Sequence, residues 1–145
     1  FSPNITMTRG MLVTVLYRMN GSPSVSGKTP FTDVRTDEWY SAAVLWAYQN
    51  SIVTGMSDTT FAPINNVTRE QMATMLARFY ALSGITAAGS ADGYADADAI
   101  SAWAVNGVAL CTARGLVQGD PQGRFRPQSD LTRAQIAAIL SRMAE

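Results

Sequence analysis

Histidine is absent from the 145-residue chain. Its absence removes the commonest general base, the commonest zinc ligand and the usual switch near neutral pH. Cysteine occurs once, at Cys111, so no internal disulfide, thiolate metal site or Cys/His pair can form within the chain. Cys111 reads as a small apolar side chain, buried, free and unreactive. Charge is scarce and balanced: 15% of residues are charged, eleven Lys and Arg against eleven Asp and Glu. No net basic field exists to gather nucleic acid or anionic lipid, which excludes a generic polyanion binder. No apolar run approaches the length of a bilayer span, so no membrane insertion is expected. The chain opens at Phe1 without a basic and apolar leader, and any export signal is expected outside it. What is present is a chain 47% hydrophobic, too apolar for disorder and of a size to form one compact domain.

Its organising feature is an internal repeat. Phe1-Ser2-Pro3 followed by Thr8-Arg9 recurs 60 residues on as Phe61-Ala62-Pro63 with Thr68-Arg69, and 64 further on as Phe125-Arg126-Pro127 with Thr132-Arg133. A second block precedes the two later copies: Phe31, Asp33, Trp39, Val44, Ile52, Val53 and Gly55 correspond to Tyr94, Asp96, Trp103, Val108, Leu116, Val117 and Gly119, with one residue inserted between Asp96 and Trp103. The first copy lacks this front block. The chain therefore reads as a rear half-repeat over 1–22 and two full repeats over 31–83 and 94–145, beginning inside repeat one with about thirty residues of it upstream, and with Ser/Gly/Ala-rich linkers at 21–30 and 84–93.

Each rear block reads as a helix. Leu12, Val15, Leu16 and Met19, then Met72, Met75, Leu76 and Phe79, then Ile136, Ile139, Leu140 and Met143 form one i, i+3, i+4, i+7 stripe three times over. Three equivalent stripes suggest helices near 8–19, 68–82 and 132–143 sharing one core that includes Leu16, Leu76 and Leu140. Thr8, Thr68 and Thr132 stand at the N-caps; Gln71 and Gln135 complete capping boxes that Met11 breaks in the first copy. The front blocks predict further helices near 38–50 and 99–114, with Ala43, Val44, Ala47 and Tyr48, and Val108 and Cys111, facing inward. Phe1, Phe61 and Phe125 read as plugs holding the turns to the core, and Trp46, without a Trp counterpart at Leu110, reads as packing. Strand content should be negligible.

The ordered set Phe-x-Asp-Val, Trp-Tyr, Ala-Val, Ile-Val-x-Gly, Phe-x-Pro and Thr-Arg-x-Gln resembles S-layer homology domains over nearly the whole chain. The resemblance implies an all-α fold of helical repeats around a pseudo-threefold central bundle, here with the first repeat truncated. It also implies a non-catalytic, cofactor-free module of a larger exported bacterial protein, bound at the cell surface to secondary cell-wall polysaccharide, often through a pyruvylated sugar. The family's Thr-Arg-Ala-Glu motif falls on Thr8-Arg9-Gly10-Met11, Thr68-Arg69-Glu70-Gln71 and Thr132-Arg133-Ala134-Gln135, none of which keeps the final Glu. The ligand set it implies is Arg69, Arg133 and Arg9 with Thr68, Thr132, Gln71, Gln135, Asp33, Asp96, Trp39, Trp103, Gly55 and Gly119.

Bland readings stand beside these. An Arg at the first helical position opposes the helix dipole by roughly 0.3–1 kcal/mol. It is offset either by bonds to a neighbouring repeat, with Asp33 and Asp96 as candidates, or by a ligand anion that also uses the free N–H groups of the helix start. Trp39 and Trp103 are either core residues or stacking platforms for a sugar. Asp92, Asp96 and Asp98 lack the glycine and distal glutamate of a calcium loop, and acidic residues recurring at equivalent positions do not make an asymmetric glycosidase pair. A structural or protein-interaction repeat without glycan binding remains the alternative function.

Overall fold

The computed structural model describes residues 4–86 and 89–144; Phe1 and part of the second linker lie outside them. Among the described residues the protein is all-α, with five helices, α1 (Arg9–Met19), α2 (Ser41–Gln49), α3 (Arg69–Ala81), α4 (Val105–Ala113) and α5 (Arg133–Met143). Two 3₁₀ turns, Ala97–Ala99 and Ala102–Ala104, precede α4. Extended pairing among the described residues is confined to isolated bridges, Thr6 with Thr132, Thr8 with Asn66 and Thr68 with Asp130.

The chain divides into two compact units, one running from Thr8 to Asn66 and the other joining the segment that ends at Met7 to everything from Val67 onward. In the first, α1 packs on α2 because each carries a small-residue or aliphatic stripe. Leu12, Val13 and Leu16 meet a surface of Ala43, Val44, Trp46 and Ala47, all buried. Val15 is half-buried and Met19 exposed, so the stripe of α1 turns toward Val13. Trp46 is core, as its lack of a repeat partner suggests, with its ring 5.7 Å from that of Tyr17. Phe31 and Phe61 are buried beneath the following turn, their rings 5.7 Å apart. Gly55 closes that turn at φ +93; a Cβ there would lie 2.5 Å from Phe31 Cε1 and 2.6 Å from the Ser57 carbonyl oxygen, so only glycine fits.

In the second unit α3 packs on α4 and on the Ala102–Ala104 turn. The approach of the two helices is set by Gly107, whose absent Cβ would lie 2.8 Å from the Ala73 carbonyl oxygen. One turn on, Cys111 is fully buried and free, its Sγ 3.7 Å from the same carbonyl. Met72, Ala73, Met75 and Leu76 of α3 and Ile136 and Ile139 of α5 are buried, with Phe79, Leu140 and Met143 half-buried. Arg142 Nη1 on the last turn of α5 donates to the Leu116 carbonyl at 2.9 Å.

The front helices are shorter than the sequence predicts. Before α2, residues 38–40 form a turn in which the Glu38 N–H donates to Ser41 Oγ (3.0 Å) while that hydroxyl donates to the Arg35 carbonyl. Before α4, the inserted residue is absorbed in the Ala97–Ala99 turn, and Ile100 and Ser101 are extended, which buries Ile100. Of the residues expected to face inward, Ala43, Val44, Ala47, Val108 and Cys111 do. Tyr48 is 37% exposed and meets the Phe31 ring edge-on at 5.4 Å.

Candidate functional site

The recurring arginines stand at the first residue of α1, α3 and α5, immediately after Thr caps whose hydroxyls accept from the third helical N–H. Reciprocal capping boxes form at Thr68/Gln71 and Thr132/Gln135 and are incomplete at Thr8/Met11. The free N–H groups expected at these helix starts are not free. In the first unit Arg9 N–H donates to Asn65 (2.9 Å) and Gly10 N–H to Pro63 (2.8 Å); in the second, Arg69 N–H donates to Ser129 and Glu70 N–H to Pro127, both at 2.9 Å. Arg133 N–H likewise donates to Ile5 at 2.9 Å. With the third N–H taken by the threonine, a ligand at α1 or α3 meets side chains rather than open backbone donors.

The side chains of Arg9 and Arg69 share one arrangement. Arg9 Nε donates to the Phe61 carbonyl at 2.9 Å and its guanidinium lies 4.7 Å from the centre of the Phe61 ring. Arg69 Nε donates to the Phe125 carbonyl at 2.7 Å with its guanidinium 4.8 Å from that ring. Each carbonyl and ring face thus offsets the unfavourable dipole and part of the lost hydration. The outcome differs in depth: Arg9 is 4% exposed, whereas Arg69 is half-buried. Burial pushes the Arg9 guanidinium down to about 10, with Asp33 opposing the shift, and burial lowers Arg69 against the nearby Tyr94, Asp120 and Asp96. Both stay cationic at neutral pH. Arg133 is half-buried, and its Nε is enclosed with no hydrogen-bond partner among the described residues.

Asp33 and Asp96 are not ion-paired to these arginines among the described residues. Their carboxylates accept paired backbone N–H bonds, Asp33 from Phe61 (2.9 Å) and Ala62 (2.7 Å), Asp96 from Phe125 (2.7 Å) and Arg126 (2.9 Å). Each carboxylate thereby fixes the Phe-x-Pro turn on which an arginine rests. Ala62 and Arg126 sit there at φ 60, a left-handed conformation that non-glycine residues adopt only under such restraint. Burial pushes the Asp96 carboxyl up, but the two N–H bonds and Arg124 outweigh it and hold it below the usual range.

The core reading of the two repeated tryptophans is overturned, since Trp39 is 59% and Trp103 55% exposed. Buried neighbours take the space instead: Tyr40, edge-on to Trp39 at 5.1 Å, reaches the start of α1, where a Cβ on Gly10 would lie 3.5 Å from its ring. Its counterpart Ala104 is fully buried beside Trp103. Gly119 lies against Gly123 in the turn pinned by Asp120, which accepts from the Gln122 and Arg124 N–H groups and pairs with Arg126 at 2.5 Å. Gly55 and Gly119 therefore shape turns rather than point at a ligand. A cleft of about 360 Å³ in the first unit, bordered by Lys28, Arg35 and Ser41, contains none of the expected ligand residues.

Sequence reading missed Glu70. Its side chain is 4% exposed and accepts from the Ser101 N–H and hydroxyl, both at 2.8 Å, and from Gln128 Nε2 at 3.3 Å. The available signal was an acidic residue inside the Thr-Arg motif of one copy alone.

Comparison with known proteins bears on the same segments. The family model described as S-layer homology domain matches residues 30–73 and 93–137. The chain is similar over its full length to an amylopullulanase of Thermoanaerobacterium thermosulfurigenes (31% identity, 8% of that protein). It is likewise similar over its full length to a surface-layer 125 kDa protein of Lysinibacillus sphaericus (30%, 12% of that protein) and to a cellulosome-anchoring protein of Acetivibrio thermocellus (27%, 33% of that protein). The chain thus spans only a small part of these curated relatives.

Proposed function

Since the chain belongs to the S-layer homology domain family and is a cell-surface anchoring module, we propose that it holds to the wall by binding an acidic polysaccharide through Arg69. The single observation that carries this reading is a half-buried guanidinium lying on the Phe125 ring. It uses Nε on a carbonyl and has no carboxylate within ion-pair distance among the described residues. A ligand carboxylate, such as that of a pyruvylated sugar, receives charge-assisted bonds there worth roughly 1.5–3 kcal/mol. The exposed indole of Trp103, on a turn packed against the same helix, offers a flat apolar face to the C–H surface of the sugar ring. Arg9 is sealed beneath its own turn and serves the scaffold; Arg133 contributes in a second position. Asp33, Asp96 and the capping residues Thr68, Thr132, Gln71 and Gln135 hold the geometry. Catalysis has no place in this reading, and the passenger of the anchor lies in the rest of a longer exported protein.

Titration calorimetry with purified wall polysaccharide, native and with its pyruvyl groups removed by mild acid, tests the reading. We expect the native glycan to bind, Arg69→Ala to weaken it about tenfold, and the depyruvylated glycan to bind correspondingly less well. Equal affinity for both glycans would return the arginine to the scaffold and favour a structural or protein-binding repeat.

A further inference from the structure

The two packing units share the arginine, phenylalanine and aspartate of the site, and beside that shared arrangement three residues change together. Glu70, Ser101 and Gln128 stand in the second unit where the equivalent positions of the first hold Gly10, Asp37 and Ile64. Glu70 follows Arg69 on the first turn of α3. Ser101 is the N-cap of the Ala102–Ala104 turn that carries Trp103. Both Ser101 donors end on the Glu70 carboxylate at 2.8 Å, and Gln128 Nε2 bridges from Glu70 (3.3 Å) to the Ala99 carbonyl (3.1 Å) on the near side of that turn. In the first unit Gly10 leaves no side chain to reach across, Tyr40 fills the space, and Ile64 is 76% exposed. A carboxylate only 4% exposed would be strongly destabilising if unpaired, so the bonds to Ser101 define where the turn can sit.

Taking the proposed function as its premise, we propose that Glu70 is a positioning residue that ties the Trp103 turn to the start of α3, so that Trp103 and Arg69 present one preformed sugar-acid site in the second unit alone. Glu70 does not touch the ligand. Its charge would in fact oppose an anion at the neighbouring Arg69, so simple electrostatics demands that removing it tighten binding. Positioning demands the reverse, because a loosened turn must be ordered each time a sugar docks.

The experiment compares the full chain with Glu70→Ala, Glu70→Gln and Ser101→Ala. Affinity for purified wall polysaccharide is read by calorimetry. Acrylamide quenching of fluorescence is read in a Trp39→Phe background, where Trp103 is the exposed indole and Trp46 is buried. We expect Glu70→Ala to weaken binding about tenfold and to change Trp103 quenching while the helical spectrum persists. Glu70→Gln, which keeps an acceptor for Ser101, should recover most of the affinity. Unchanged or tighter binding by Glu70→Ala with unchanged quenching overturns the proposal. Should Glu70→Ala fail to fold, Ser101→Ala decides the matter by the same two readings. No binding by the unaltered chain overturns the glycan reading itself, and the quenching series then decides whether the tether exists.

Discussion

Arg9 and Arg69 make the same two contacts at different depths, and depth assigns them different work. Arg9→Ala would leave the Phe61 carbonyl without its donor and strip a cation from its ring. A loss of about 2 kcal/mol is expected, visible as a lower urea midpoint. Arg69→Ala should cost less stability and more ligand affinity, and equal stability losses would contradict the division. At Cys111, burial pushes the thiol up to about 12, which keeps the nucleophilic thiolate scarce at neutral pH. Labelling by a thiol reagent should be orders of magnitude slower in the native protein than in urea; rapid native labelling would contradict the packing on Ala73. The burial of Cys111 and Trp46 was legible by aligning the repeats, because Cys111 falls opposite the small apolar Ala47 and Trp46 has no repeated Trp but the aliphatic Leu110. The exposure of Trp39 and Trp103 was not. Periodicity marks the inward face of a helix, whereas these residues precede their helices on turns whose burial is decided by Tyr40 and Ala104.

At the scale of elements, the rear helices were predicted almost to the residue because stripe, cap and capping box agree on each boundary. The front helix of the last repeat was not, because its expected first turn is broken by Ser101, whose donors answer to Glu70, a partner 31 positions away in sequence. No local propensity reports such a demand. The same limit hid the carbonyls that take up the helix-start N–H groups, which come from Pro63 and Pro127 far along the chain. Two substitutions probe the elements directly. Thr68→Ala removes the cap of α3 and should cost about 1 kcal/mol. Gly107→Ala forces a methyl toward the Ala73 carbonyl, to 2.8 Å, and should cost about 1–3 kcal/mol by prising α4 from α3. A Gly107→Ala protein as stable as the parent would mean that the helix contact yields easily.

For the molecule as a whole, acid should act on the turn that Asp96 pins. The Asp96 carboxyl is held below its ordinary value of ~3.9, so its stabilising contribution is complete above that pH and is lost as pH falls through the depressed value. The melting temperature should therefore hold from neutrality to about pH 4 and fall below it, and Asp96→Asn should make the acid limb shallower. Parallel curves for both proteins would exclude this carboxylate as a source. The repeat frame and the packing frame are also out of step. The unit from Thr8 to Asn66 takes its first helix from one repeat and its second from the next, with Asp33 and Arg9 meeting at a single turn. Gene recombination that exchanges whole sequence repeats between relatives would place foreign front blocks against native rear helices. Crossovers falling at 7/8 and 66/67 would transfer a packing unit with its aspartate, phenylalanine and arginine still matched. The packing unit is thus offset by half a period from the repeat that the eye finds in the sequence.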